Sequence, residues 1–350
     1  MKTAGGKEGS GALPFRQIAA IFLQTLLLFG AIPSAASAQG SGETVKIQDY
    51  PGTGNMLFRI AKSKGFCEKH GIACQFQFIS TGPLGAQALL SSSIDVALLP
   101  AEVQINAAIK GAKLRAITGG LVLNINIIVI GNDVEAPHAD QGYPAIMADL
   151  KGKKIGVIAR GGGTELEFEF LAQKAGFKAE DFHFVAVGAP NTAYGALVSK
   201  QVDANITIEP SGALCDVLKT CKTIYRGAET KEPAEVSATN GASGNIVVTQ
   251  DMIDKKPQLV EALIAAANDA YAFIKKPENY PEALSIAQSY FRFDLARGDE
   301  VMDVALKRNI PSYRATVSRP AFQAIADKMF LTKQIESHFD TAPLIYEKAP

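Results

Sequence analysis

From residue 44 the chain alternates short strand-like apolar runs with stretches of helical period. Residues 44–48 alternate as a strand, and Pro51-Gly52-Thr53-Gly54-Asn55 breaks it. Residues 56–64 then place Leu57, Ile60 and Ala61 on one helical face, and Gly65 stops the helix. Residues 72–79 predict a second strand. Ser80-Thr81-Gly82-Pro83 is a break with helix-start chemistry before a helix over 84–90. Residues 94–99 predict a third strand, ended by Pro100, and a helix follows over 102–109. Three strand–break–helix units in a row read as a parallel sheet with its loops at one edge.

The pattern then restarts. Strands are expected over 154–158, 182–187 and 204–208, and helices over 164–175 and 193–199. The halves share local wording: Ser91-Ser92-Ser93-Ile94-Asp95-Val96-Ala97 runs parallel to Ser199-Lys200-Gln201-Val202-Asp203-Ala204-Asn205. Between them lies a long β-rich stretch, 121–130, suited to cross from one half to the other, and 240–248 suits the return. From residue 255 the chain reads helical, over 259–275, 281–291, 298–307 and 319–330. These helices are expected to pack on the first half. The fold class is α/β with two lobes, one built from 43–128 plus 237–350 and the other from 129–236.

The first 38 residues fall outside that pattern. Lys2, Lys7 and Arg16 precede an apolar run over 18–32, and Ala36-Ser37-Ala38 supplies an A-x-A site. That is the form of a secretory signal peptide cut after Ala38. A membrane anchor is the rival, but about 15 apolar residues fall short of the roughly 20 of a span. The leader carries three of the 35 basic and one of the 35 acidic residues, so the exported chain is near neutral, which argues against nucleic acid as a partner.

Four cysteines fall into two close pairs, Cys67/Cys74 and Cys215/Cys221. In an exported chain this predicts two local disulfides. Zinc is the alternative, though only His70 stands near either pair. No metal and no cofactor is expected.

The stretch Ala159-Arg160-Gly161-Gly162-Gly163-Thr164 joins a strand to a helix. It lacks the lysine of a P-loop and the spacing of a dinucleotide loop. Glu165, Glu167 and Glu169 read as a solvated helix face, and the four histidines show no nucleophile context, so no enzyme is expected. What remains is a set of helix N-termini gathered at one sheet edge, with unpaired backbone amides and positive dipole ends. The candidate ligand-binding residues are those breaks: Tyr50, Thr53, Gly54 and Asn55; Thr81 and Gly82; Pro100 and Ala101; Gly162, Gly163 and Thr164; Asn191 and Thr192. Arg160 is the expected cation for a ligand's negative end. Glu209, at a strand end beside Pro210, is expected to face the cleft. Tyr50, Phe58 and Tyr194 are candidates for an aromatic wall. Such a site suits a small organic anion.

Several of these residues carry a family resemblance: Tyr50-Pro-Gly-Thr-Gly-Asn, Thr81-Gly-Pro, Gly111 within Ile109-Lys-Gly-Ala-Lys-Leu, Asp149-Leu-Lys-Gly-Lys-Lys-Ile-Gly-Val, and Val202-Asp-Ala-Asn-Ile-Thr-Ile-Glu-Pro. With them the chain resembles the periplasmic solute-binding proteins of ABC importers, of the sulfonate/nitrate/taurine and thiamine-pyrimidine-like group. The resemblance implies the type II periplasmic-binding-protein fold, two lobes joined by two crossing strands, and a ligand closed between them; the carboxylate or sulfonate expected as that ligand comes from the donor-rich helix ends. The resemblance also implies a periplasmic monomer that delivers to a membrane permease. The chain departs from the commoner pattern at Ile208-Glu209-Pro210, where a Trp-Asp-Pro is usual, and it has no tryptophan. An exported enzyme or sensor on the same fold is the alternative; the histidine- and cysteine-rich marks of thiamine-pyrimidine synthases are missing.

Overall fold

The computed structural model describes residues 42–350; the expected signal peptide lies outside them. The chain begins with β1 (Glu43–Asp49), α1 (Met56–Ser63), α2 (Phe66–Lys69), β2 (Ile72–Phe78), α3 (Gly82–Leu90), β3 (Ala97–Leu99), α4 (Ala101–Ile109) and β4 (Leu114–Gly119). It continues through β5 (Ile127–Gly131), α5 (Ile146–Asp149), β6 (Lys154–Val157), α6 (Gly163–Lys174), β7 (His183–Ala186), α7 (Pro190–Val198), β8 (Ala204–Thr207), α8 (Ser211–Leu218) and β9 (Cys221–Arg226). It ends with α9 (Ala234–Ala238), β10 (Asn245–Thr249), α10 (Gln250–Lys255), α11 (Pro257–Ile274), α12 (Tyr280–Tyr290), α13 (Gly298–Asn309) and α14 (Arg319–Leu331).

The two halves repeat one topology. In the second lobe the strand order is β7-β6-β8-β5-β9, with β6 parallel to β7 and β8 and β5 antiparallel to its neighbours. In the first, β2 pairs with β1, β10 lies antiparallel between β3 and β4, and the bridge Ile47–Val96 joins the two pieces. Each order reads second, first, third, crossing strand, fourth. In each lobe the antiparallel strand arrives from the other lobe. The shared wording noticed in sequence also has a physical cause. Asp95 accepts the Lys46 amide at 2.8 Å and Asp203 accepts the Lys154 amide at 2.7 Å, both across 49 residues.

Within the 121–130 stretch only β5 is a strand, and it belongs to the second sheet. The crossing itself is the shorter segment before it. It is held to the return crossing by Gly241 N to Val122 O at 2.7 Å, Gly120 N to Gly244 O at 3.1 Å and Asn124 N to Asn240 Oδ1 at 2.7 Å. The C-terminal helices also differ from expectation. α11 and α12 cover α1 in the first lobe, with Val260, Leu263 and Ala267 in its core. α13 packs Val301 and Ala305 onto Ala213, Leu214 and Val217 of α8, and α14 touches both α4 and α6. The tail therefore spans both lobes, because its apolar stripes continue past the first.

Cys67–Cys74 and Cys215–Cys221 are both disulfides. The first ties α2 to β2 and the second ties α8 to β9, so they do not occupy equivalent places in the repeat. Among the described residues no helix is long and apolar enough to cross a membrane.

Candidate functional site

A cleft with about 820 Å³ of empty space, its mouth included, opens between the lobes. Its walls come from the carboxyl ends of strands: Tyr50 and Gly54 after β1, Pro100 after β3, Ile158 and Ala159 after β6, Ile208 after β8. This is where an open α/β sheet leaves a crevice, because neighbouring loops diverge there. Both crossings form its floor, through Leu121, Asn124, Ile125 and Asn126 on one and Thr239, Ser243 and Gly244 on the other. Ile325 and Lys328 of α14 close one side.

The glycine loop has a separate reason at two of its positions. Gly161 sits at φ +66°, a conformation that side chains disfavour. Gly163 faces Pro100 of the other lobe, where an added Cβ would stand 3.3 Å from the ring. The loop is fastened by Thr164 Oγ1, which accepts the Ile158 amide at 3.2 Å, and by Glu165, which accepts the Gly161 amide at 2.7 Å. Glu165 thus stabilises the first turn of its helix by both hydrogen bonding and the dipole. The loop after β1 is fixed by buried Arg59, which donates to Tyr50 O at 3.0 Å and Gly52 O at 2.5 Å and pairs with Asp49 at 2.9 Å.

Of the residues singled out in sequence, Tyr50, Gly54, Gly82, Pro100, Gly162, Gly163 and Thr164 line the cleft. The others do not. Thr53 accepts from Asn309 Nδ2 at 2.5 Å in the interior, Asn55 donates to Gln48 O at 2.9 Å, Thr81 caps α3, and Ala101 is buried in α4. Thr192 turns its hydroxyl to Val187 O and Ala189 O, and Asn191 is exposed; both follow the edge strand β7, away from the centre. Arg160 is 61 % exposed, held by Glu165 at 2.8 Å and stacked over Phe184. Glu209 is buried outside the cleft lining, between Arg226 at 3.1 Å and Arg308 at 3.2 Å, and accepts the Ala213 amide. Phe58 lies in the core, and Tyr194 bonds Thr220.

Three charged groups in the cleft were not read from the sequence. Lys328 pairs with Glu167 at 2.6 Å and with Glu102 at 3.3 Å, and Asn124 Nδ2 donates to Glu167 at 2.5 Å. Burial alone would pull the lysine's pKa down; Glu167 and Glu102 outweigh it and raise it, so the group stays an ammonium. Glu165 and Glu167 are buried rather than solvated, because α6 is covered on nearly every side. The signal for Lys328 was available: it lies three residues after Ile325 and seven after Ala321, on the buried face of α14. Burial also raises the Tyr50 hydroxyl well above its ordinary pKa, keeping a neutral phenol in the cleft.

The NMT1/THI5-like family model matches residues 55–280. A Brucella abortus (strain 2308) protein, named provisionally as a binding protein, is 28 % identical over 278 residues, 79 % of each chain. The alkanesulfonate-binding protein SsuA from Xanthomonas axonopodis pv. citri superposes with a TM-score of 0.69 at 17 % identity, over 87 % of this chain and 98 % of that one. The nitrate-binding protein NrtA from Synechocystis PCC 6803 gives 0.60 at 18 % identity, over 73 % and 68 %. The extent of the family match and these superpositions agree with the repeated topology: the chain belongs to the NMT1/THI5-like family and has the periplasmic-binding-protein fold.

Proposed function

We propose that this protein is the exported, monomeric solute-binding component of an ABC importer, which captures a small organic molecule in the cleft and presents it to a membrane permease. One observation carries the reading: a single cleft is walled by both lobes and floored by both crossings. A ligand held there touches both lobes at once, so its binding energy favours the closed angle, and the two crossings are the hinge. The lobe boundaries then fall between β4 and β5 and between β9 and β10. The names of the relatives point the same way, toward binding rather than turnover. Tyr50, Gly54, Gly82, Pro100, Gly162, Gly163 and Thr164 are the proposed ligand contacts from the sequence set, joined by Asn124, Thr239, Ser243 and the Glu102–Lys328–Glu167 group.

Native mass spectrometry of protein purified without denaturation tests this. A retained small mass is expected in the wild type and not in Gly163→Phe, whose ring wedges against Pro100. Returning that compound to stripped protein should lower the radius of gyration in small-angle scattering. An unchanged radius with the compound bound would refute hinge closure.

A further inference from the structure

The charge in the cleft is unbalanced. Among the described residues that line it, Lys328 is the one cation, and it faces two carboxylates. Both Glu167 oxygens are used by the protein, Oε2 by Lys328 and Oε1 by Asn124. Glu102 differs. It is 7 % exposed, its Oε1 takes the longer contact to Lys328, and among the described residues its Oε2 accepts no hydrogen bond. That oxygen lies 3.8 Å from where a Cβ would stand on Gly163, at the start of α6 and inside the cleft. The side chain is mostly buried, but this oxygen keeps accessible surface and opens into the cleft with no protein donor among the described residues, so its natural complement in a ligand is an N–H group. The Tyr50 hydroxyl, also in the lining, likewise has no partner among the described residues, and the remaining walls are mainly apolar, with Asn126, Thr164, Thr239 and Ser243 as polar exceptions.

We infer that the cleft selects an organic nitrogen compound, neutral or cationic, that donates an N–H to Glu102 Oε2 and lays an apolar body against Leu98, Ile125, Ile158 and Ile208. The inference rests on the reading of the cleft as a solute site. It reverses the charge expected from helix ends alone. The first amides of α6 attract an acceptor, but an anion seated on them would lie against Glu102, and the lysine that could offset it is already bound to Glu167. A neutral carbonyl satisfies those amides without that repulsion.

The test is affinity selection read by mass spectrometry. The probe is an equimolar library of amines, amides and amidines mixed with carboxylates and sulfonates of the same size. The wild type should retain nitrogen compounds over anions. Glu102→Gln, which keeps the shape, should weaken that retention roughly 10–100-fold, the range of a charge-assisted hydrogen bond. Glu102→Asp keeps the charge beside Lys328 but withdraws the oxygen, and should lie between the two, which separates a lost contact from a lost fold. Retention of anions that Gly163→Phe abolishes would overturn the inference while leaving solute binding intact. Retention of nitrogen compounds unchanged by both Glu102 variants would also overturn it. Retention of nothing, or equal retention by Gly163→Phe, would sink the solute-binding reading and the inference with it.

Discussion

Arg308 donates to Asp216 at 2.6 Å, joining α13 near the end of the chain to α8 of the second lobe. The same guanidinium reaches buried Glu209, which Arg226 approaches from the other side. Four charges thus lock the C-terminal helices onto the lobe that the proposed hinge would move. Arg308→Met should leave Glu209 with one cation and cost about 1–3 kcal/mol, below the full penalty of a stranded buried charge because Arg226 remains. Denaturant midpoints should show it. An unchanged midpoint, with unchanged solution scattering, would mean that the pair is ornamental.

A second prediction concerns two glycines where the lobes meet. Gly52 has φ +75°, and an added Cβ would stand 2.8 Å from the Pro210 ring of the other lobe; at Gly163 the nearest atom of Pro100 would be 3.3 Å away. Gly52→Ala adds the left-handed penalty of about 1–2 kcal/mol to the clash, whereas Gly163→Ala needs a shift of a few tenths of an ångström. Both variants should weaken ligand retention, Gly52→Ala more than Gly163→Ala. Equal retention by both variants and the wild type would remove lobe contact from the account of closure.

The order of strands and helices was legible because each element carries its own period, and Gly161-Gly162-Gly163 announced a helix start at the cleft. The charges were not legible, for a physical reason. Leu166-Glu167-Phe168-Glu169-Phe170 alternates with period two, which on a helix spreads apolar and acidic groups around the whole circumference. Such a helix is either unstable or buried on all sides, and the solvated reading chose neither. Glu167 is tolerable inside because Lys328, 161 residues away, meets it. No local window contains that partner. Arg160 failed in the opposite way: it looked like a free cation at a strand end, and Glu165, five residues on, claims it.

Alkaline lability is a third prediction. Tyr143 is pushed up to about 12, mainly by burial, with Glu235, Glu167 and Glu232 adding to the rise. In the unfolded chain it titrates near 10. Between those values the native state holds a proton that the unfolded state has released, so stability present below about pH 10 falls as pH rises toward 12. Tyr143→Phe loses the hydrogen bond to Leu171 O, about 1 kcal/mol at neutral pH, yet its stability should decline less steeply in that window. Urea midpoints from pH 8 to 11.5 give both slopes; parallel slopes would assign the lability elsewhere.

Removing the short-loop disulfides should cost stability without unfolding the protein. The bridged positions are separated by 7 and 6 residues, and closing so short a loop is worth about 2 kcal/mol each in the chain-entropy account. The Cys215–Cys221 bridge anchors the helix that carries Asp216. Its double serine variant should therefore also loosen the contact with Arg308, while the Cys67/Cys74 variant should not. Combining each with Arg308→Met in a double-mutant cycle separates them: coupling is expected for the first pair and additivity for the second.

The last prediction uses the internal repeat. Asp95 and Asp203 each accept the amide of a lysine 49 residues earlier in the first strand of their lobe, Lys46 in the middle of β1 and Lys154 at the start of β6. Each also returns its own amide to that lysine's carbonyl, at 2.8 Å and 2.9 Å. The pair of bonds pins the turn before the third strand to the first strand, which sets the register of the parallel pair above it. Both bonds are exposed, at the ends of interior strands, so Asp95→Ala and Asp203→Ala should each cost about 0.5–1.5 kcal/mol rather than the larger penalty of a buried group. The two sites lie in different lobes and share no partner, so the double variant should lose the sum of the two within about 0.5 kcal/mol. Two lobes that unfolded independently would instead show two transitions, each moved by its own substitution. A single transition displaced by the sum indicates that the crossings and the C-terminal helices make the lobes one cooperative unit, and two transitions would refute that.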